Sequence, residues 1–292
     1  MVATKPKRSV KGDLHPSKRA ARDKMRAPPE RIVERTDDWR FRIRGVMRAL
    51  GNPSVVELWR GASRLNGEPI VVLAACLRAR TGDDANNKTG DMVQVYILPQ
   101  SEDPTAATKS GKDVSVCGSC VHRPAAESGM RDCYVNTSWA PRNLWLSWRS
   151  GAVPFAPVGV LDGAPVRFGA WGDPAAVPLE VWAPLVEGSI TYTGYTQEWP
   201  ALDVTVWGWL MASVIGEDEQ LAARDQGWRT FRTAYDGDPD PGAMEGEREC
   251  LATAKGIPCV GCGGCGGLDQ PLRSSYALRV HGMRAHASRA KL

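Results

Sequence analysis

The chain has 292 residues, with 37 Lys/Arg against 33 Asp/Glu, eight cysteines and a hydrophobic content of 42%. That content excludes wholesale disorder, and no run reaches the roughly 18 apolar residues of a membrane helix. The N-terminus lacks a signal peptide's apolar core, so the sequence predicts a cytoplasmic chain rather than a disulfide-stapled secreted scaffold.

The charge is unevenly spread. Residues 1–36 hold eleven Lys/Arg and four Asp/Glu, with Pro6, Pro16, Pro28 and Pro29 interrupting them. This reads as a disordered basic arm, able to contact nucleic acid through phosphates or to act as a solubilising tail. From Asp38 the pattern turns globular. Trp39–Leu50 has helical spacing and stops at Gly51-Asn52-Pro53. Glu68–Cys76 contains Ile70-Val71-Val72-Leu73, a buried-strand pattern, and Met92–Leu98 alternates like a strand. A polar loop, Thr81–Gly90, lies between them.

Ala140–Arg149 predicts a Trp-rich helix. Val166–Ala170, Ile190–Tyr195, part of Val204–Val214 and Trp228–Thr233 predict strands, and Pro178–Val186 and Glu217–Gly227 predict helices. The alternation predicts an α/β fold with parallel strands, a partial or complete (β/α) barrel over 37–235. No G-x-G-x-x-G follows a strand. Residues 236–292 are rich in Gly, Pro and Cys and predict a metal-bound, cysteine-rich extension.

Seven cysteines form two groups. Cys117-Gly-Ser-Cys120 is followed by Cys133-Tyr134. Three thiols leave one position open, which His122 fills in a structural zinc site, or which a cofactor takes at an iron–sulfur cluster with one open iron. Cys259-Val-Gly-Cys262-Gly-Gly-Cys265, with Cys250 upstream, predicts a second metal site. Its spacing suits an iron–sulfur cluster, and zinc fits also, with His281 as an alternative to Cys250. Cys76, in an apolar run, reads as a small core residue.

The order Lys88-Thr89-Gly90, Cys117/Cys120/Cys133-Tyr134, Gly172-Asp173-Pro174, Tyr195-Thr196 and Cys259/Cys262/Cys265 before His281-Gly282 resembles a group of uncharacterised bacteriophage proteins. That resemblance covers roughly residues 85–285. It implies a host cytoplasm as the location and transfers no activity. A more distant resemblance is to radical S-adenosylmethionine enzymes. Those enzymes carry a three-cysteine loop, then a strand ending in a Gly-Gly-Glu-Pro-like turn, then a partial barrel. Cys133-Tyr134 and Val166–Pro174 fall in that order. Here the first spacing is C-x2-C-x12-C instead of C-x3-C-x2-C, and Asp173 stands where the Glu is expected. The resemblance implies a four-iron–four-sulfur cluster on Cys117, Cys120 and Cys133. It implies S-adenosylmethionine held by Gly169, Gly172 and Asp173, and an auxiliary cluster or structural metal on Cys250, Cys259, Cys262 and Cys265.

Read without a family, Gly169–Pro174 is a strand-end turn that lets backbone approach a ligand, with Asp173 as a functional carboxylate or as a helix cap. Ser213, at another strand end, is a candidate for binding a cofactor. Glu198 reads as an acid or base, or as a solvated carboxylate. Arg229 and Arg232 read as phosphate or carboxylate binders, or as surface residues. The eleven tryptophans read chiefly as core. With only four His, and no Walker loop, H-E-x-x-H or G-x-S-x-G, most hydrolase and nucleotide-binding classes drop out. Three functions compete. One is an iron–sulfur enzyme of the radical S-adenosylmethionine kind with a nucleic-acid or nucleobase substrate. Another is a zinc-containing barrel enzyme of the base-transglycosylase type with Asp173 as nucleophile. The third is a non-enzymatic zinc module that binds nucleic acid.

Overall fold

The computed structural model describes residues 36–77, 88–124, 131, 133–269 and 274–280. The basic arm, most of the Thr81–Gly90 loop and His281 lie outside the described residues. Helix α1 (Thr36–Ala49) turns Trp39, Ile43 and Met47 inward at four-residue spacing, the stripe expected of a helix covering a core. It stops where Gly51 and Asn52 adopt positive φ, 82° and 59°. Strands β1 (Val55–Ala62), β2 (Pro69–Ala75) and β3 (Val93–Pro99) follow. They pair antiparallel in sequence order. The expectation of parallel strands therefore fails at the start of the sheet, because the 63–68 connection between β1 and β2 is too short for a crossover.

From β3 onward every pairing is parallel. β4 (Pro165–Trp171), β5 (Thr191–Thr196), β6 (Met211–Ile215) and β7 (Thr230–Ala234) stack in sequence order. β9 (Ser275–Arg279) then pairs with β7, and β8 (Glu247–Glu249) lies on the outer side of β9. The result is one nine-stranded sheet, ordered β1-β2-β3-β4-β5-β6-β7-β9-β8. The sheet is open. Closure needs the last strand to meet the first, and here β1 and the three-residue β8 are both edges. A complete barrel is thus not formed. Nor does the fold show a separate cysteine-rich extension, since the segment from 236 onward supplies β8 and β9 of the same sheet.

Helices α2 (Pro104–Ser110), α3 (Val114–Cys117) and α4 (Ala140–Arg149) connect β3 to β4. α5 (Leu179–Gly188), α6 (Val204–Trp207) and α7 (Gly216–Asp225) fill the next crossovers. α8 (Leu251–Ala254) and α9 (Cys259–Cys262) precede β9. Successive parallel strands in unbroken spatial order, joined by crossovers of one hand, bring their connections to one face of the sheet. The side chains follow. Phe168 on β4 packs edge-on against Trp182 of α5 at 5.4 Å and against Trp209 at 5.4 Å, with Tyr192 of β5 completing the group. These rings, with Trp199, Trp207 and Trp228, form the core between sheet and helices, as the tryptophans' core reading expects. The alternate residues Arg167, Gly169, Thr193, Tyr195, Ser213, Phe231, Thr233, Tyr276 and Leu278 face the other way, into a cavity. Period-two alternation across five strands therefore separates packing from site. Among the described residues no helix is long and apolar enough to cross a membrane.

One ion pair fixes the far end of the sheet. Arg232 on β7 and Glu247 on β8 have no side-chain exposure and meet at 2.8 Å. Glu247 also accepts from the Gly242 N–H, and Arg232 donates to the Pro239 carbonyl. Arg232 is thus a structural residue and not a surface phosphate binder. Replacing Arg232 by Ala strands a buried carboxylate and is expected to cost about 3–5 kcal/mol in urea unfolding. The double change Arg232→Met with Glu247→Leu should cost much less.

Candidate active site

The first cysteine loop is built by short-range backbone bonding. The Asp113 carbonyl accepts from the Cys117 N–H, closing α3, and the Cys117 carbonyl accepts from the Cys120 N–H at 3.0 Å. Arg123 forms an ion pair with buried Asp113 at 2.7 Å and donates to the Gly118 carbonyl. Glu198, which follows β5, accepts from both the N–H and the hydroxyl of Ser119, at 2.7 and 2.8 Å. A side chain on Gly118 would strike that same carboxylate, and its φ of 51° already favours glycine. Glu198 therefore clamps the Cys117–Cys120 loop, a role that neither of its sequence readings contained. Cys133 rejoins the loop through its N–H to the His122 carbonyl.

The turn after β4 docks onto this loop. The Asp173 N–H donates to the Val116 carbonyl at 2.6 Å. Its carboxylate accepts from the Ala175 N–H through Oδ1 at 2.9 Å and from the Gln197 N–H through Oδ2 at 2.7 Å. Gln197 in turn donates from Nε2 to the Ser213 hydroxyl at 2.8 Å. A chain of hydrogen bonds thus runs from the first cysteine loop through the ends of β4 and β5 to β6. Asp173 is 7% exposed, and burial raises its carboxyl to about 6 against the pull of the Ala175, Gln197 and Thr196 donors. It caps the 3-10 turn Pro174–Ala176, as its capping reading expects, and it also lines the cavity. Gly169 and Gly172 are required here. Their φ values are 73° and 89°, and a Cβ on Gly172 would lie 2.7 Å from Ile97.

The second cysteine set sits on other supports. The Cys259 N–H donates to the Lys88 carbonyl at 2.8 Å and the Val260 N–H to the Thr89 carbonyl at 3.2 Å. Gly90 leaves room for Val260, so the Lys88-Thr89-Gly90 step is a cradle for α9. Cys250 is held through its N–H on the Ala277 carbonyl of β9. Arg229, 5% exposed, donates to the carbonyls of Gly264, Gly267 and Ser274. It shapes the loop carrying Cys262 and Cys265 and is no exposed phosphate binder. Burial pulls its guanidinium down, and the thiols of Cys265 and Cys262 oppose that.

Glu198, Arg229 and Arg232 do not line the cavity of about 280 Å³, but eleven of the other residues singled out from the sequence do. They are Cys117, Cys120, Cys133, Gly169, Gly172, Asp173, Ser213, Cys250, Cys259, Cys262 and Cys265. Cys76 stands apart, half-buried at the end of β2 with φ 64°, so it is less enclosed than a core residue. His122 also lines the cavity. Burial pushes the Cys117 thiol well up, with Cys120 and Cys133 adding to it as neighbours. It likewise raises Cys259 to about 11, opposed by the nearby Arg167 guanidinium. Cys265 is raised by burial and then by Cys259, with the Tyr195 hydroxyl opposing. The thiols of each set are therefore electrostatic neighbours in low-dielectric surroundings. Among the described residues, no three His, Cys, Asp or Glu side chains are gathered closely enough to hold a metal ion as they stand. The donor chemistry, seven soft sulfurs in two sets, suits iron–sulfur or zinc binding, and loading either set requires release of thiol protons and a tightening of the loops.

Sequence reasoning missed Arg167 and Gln197, and gave Tyr195 only as part of a motif order with no place in the site. The signal for Arg167 was a charged residue inside the alternating run Val166–Ala170, in step with Gly169. Comparison of the chain with protein-family models, with curated proteins and with solved structures finds no significant match.

Asp173→Asn offers an amide N–H2 to one of two backbone donors and leaves that donor unsatisfied. We expect a loss of about 1–3 kcal/mol, read as a lower urea midpoint at unchanged slope.

Proposed function

We propose that this chain is an iron–sulfur enzyme resembling the radical S-adenosylmethionine class, of bacteriophage type. Its chemistry takes place in the cavity that one face of β4, β5, β6, β7 and β9 lines. The supporting observation is convergence. Two cysteine sets 117 residues apart at their nearest members, Cys133 and Cys250, open on the same cavity beside the Gly169–Asp173 turn. A structural metal needs no cavity, and two of them do not need to share one. The strand order, sequential from β3 to β7, suits the partial barrel of that class.

In this reading Cys117, Cys120 and Cys133 hold a four-iron–four-sulfur cluster with one open iron. Cys250, Cys259, Cys262 and Cys265 hold a second cluster. A cluster with bound S-adenosylmethionine supplies one-electron chemistry. The chain's own residues then position and enclose. Gly169 and Gly172 give the cofactor's polar end access to backbone, Asp173 sets the turn that presents it, and Ser213, fixed by Gln197, offers a hydroxyl from β6. The aromatic and aliphatic wall formed by Tyr195, Phe231, Tyr276 and Leu278 excludes water from the substrate. The basic residues 1–36 make a nucleic acid or a nucleobase the substrate class to test first.

Protein purified and reconstituted without oxygen should bind iron and sulfide at both sets. The triple change of Cys117, Cys120 and Cys133 to Ser should remove roughly half of the iron and spare the rest. Stoichiometric zinc in a colourless protein under the same conditions would sink the proposal. Removing residues 1–36 should weaken RNA or DNA binding at low salt and flatten its salt dependence, because each lost phosphate contact removes about one unit of slope.

A further inference from the structure

Arg167 has no task in that scheme. It stands in the middle of β4, lines the cavity alongside Gly169 and Trp171, and lies near Cys259, Tyr134 and Tyr195. A guanidinium offers five N–H donors. Among the described residues one hydrogen bond uses them, from Nη2 to the Tyr134 hydroxyl. Nε is buried with no partner. None of the ion pairs among the described residues includes Arg167. Arg167 is half-buried, and the two more deeply buried arginines are used differently. Arg229 is spread over three backbone carbonyls, and Arg232 is paired with Glu247. The cavity's own carboxylate, Asp173, is committed to two backbone N–H groups and offers Arg167 no counter-charge.

A guanidinium nitrogen cut off from water without a partner, as Nε is here, is costly unless an acceptor arrives, and the planar fork matches paired oxygens. We propose that Arg167 is an oxyanion anchor: it binds the carboxylate or phosphate of a small substrate lodged between the two cysteine sets, with the Tyr134 hydroxyl fixing the fork. The aromatic wall of Tyr195, Phe231 and Tyr276 takes the substrate's apolar or planar body. This rests on the reading of the cavity as the place where substrate binds, and it does not depend on which metal the thiols hold.

The test uses the full chain, purified without oxygen and with its metal content measured. Inorganic phosphate and benzoate are titrated separately by calorimetry into the wild type, Arg167→Gln and Arg167→Lys, at two salt concentrations. Saturable one-to-one binding of at least one probe is expected in the wild type. It should be weakened roughly tenfold or more in Arg167→Gln, partly retained in Arg167→Lys, and accompanied by unchanged metal content. Stronger binding of phosphate assigns a phosphate-bearing substrate, and stronger binding of benzoate a carboxylate-bearing one. Three results overturn the proposal. They are no saturable binding in the wild type, equal affinity in Arg167→Gln, and loss of metal in Arg167→Gln with anion affinity unchanged. The last would make Arg167 a counter-charge for the second thiol set. Should Arg167→Gln not fold, Tyr134→Phe replaces it. Severalfold weaker binding supports the anchor, and affinity unchanged in both Tyr134→Phe and Arg167→Lys overturns it. Protein that holds zinc and no iron after anaerobic reconstitution, and still binds anion through Arg167, would end the iron–sulfur reading and leave the anchor standing.

Discussion

A buried carboxylate joins three distant parts of the chain at the cavity. Asp173 receives backbone N–H groups from its own turn and from the end of β5, while its own N–H holds the carbonyl just before Cys117. Three backbone segments, distant in sequence, are thereby set to one geometry. The price of burial is visible in its raised carboxyl pKa, and the donors aimed at it offset that cost. Without this junction the first cysteine loop would rest mainly on Glu198 and on the Asp113–Arg123 pair. Neither of these reaches the end of β4.

The second thiol set is organised by the opposite charge. Arg229 gathers the carbonyls of Gly264, Gly267 and Ser274, while the Lys88-Thr89-Gly90 step holds the start of α9. Backbone bonding thus shapes both loops, and the cysteines of both line the cavity. On the proposed metal-binding reading, ligand side chains can close without remaking that main-chain network. Gly118, Gly172 and Gly264 each stand where a side chain would meet Glu198, Ile97 or Tyr276.

The legible parts of the fold were those with strong local periodicity. Helix Ala140–Arg149 and the strands near 69–75, 93–99 and 165–171 fall where alternation or helical spacing put them. Strand β1 did not stand out, because Glu57 and Arg60 interrupt its apolar run. Glu57 is buried only because Trp148 and Arg60 satisfy it. β9 was hidden inside a Gly/Cys-rich segment, where composition outweighs five residues of strand pattern. Barrel closure was not readable at all, since it depends on whether the first and last strands meet, and no local pattern encodes that.

By itself the sequence determined the α/β alternation, the soft-ligand character of two cysteine groups and the glycine turn that ends at Asp173. These are local properties of spacing, propensity and side-chain chemistry, and they survive without knowing the fold. Only the tertiary structure decided that both cysteine groups share one cavity, that Glu198, Arg229 and Arg232 are internal struts, and that Arg167 faces the site with open donors. The physical reason is that a polar residue's role depends on which partners reach it. Those partners come from strands tens of residues away, brought together by sheet pairing that single-chain patterning does not specify.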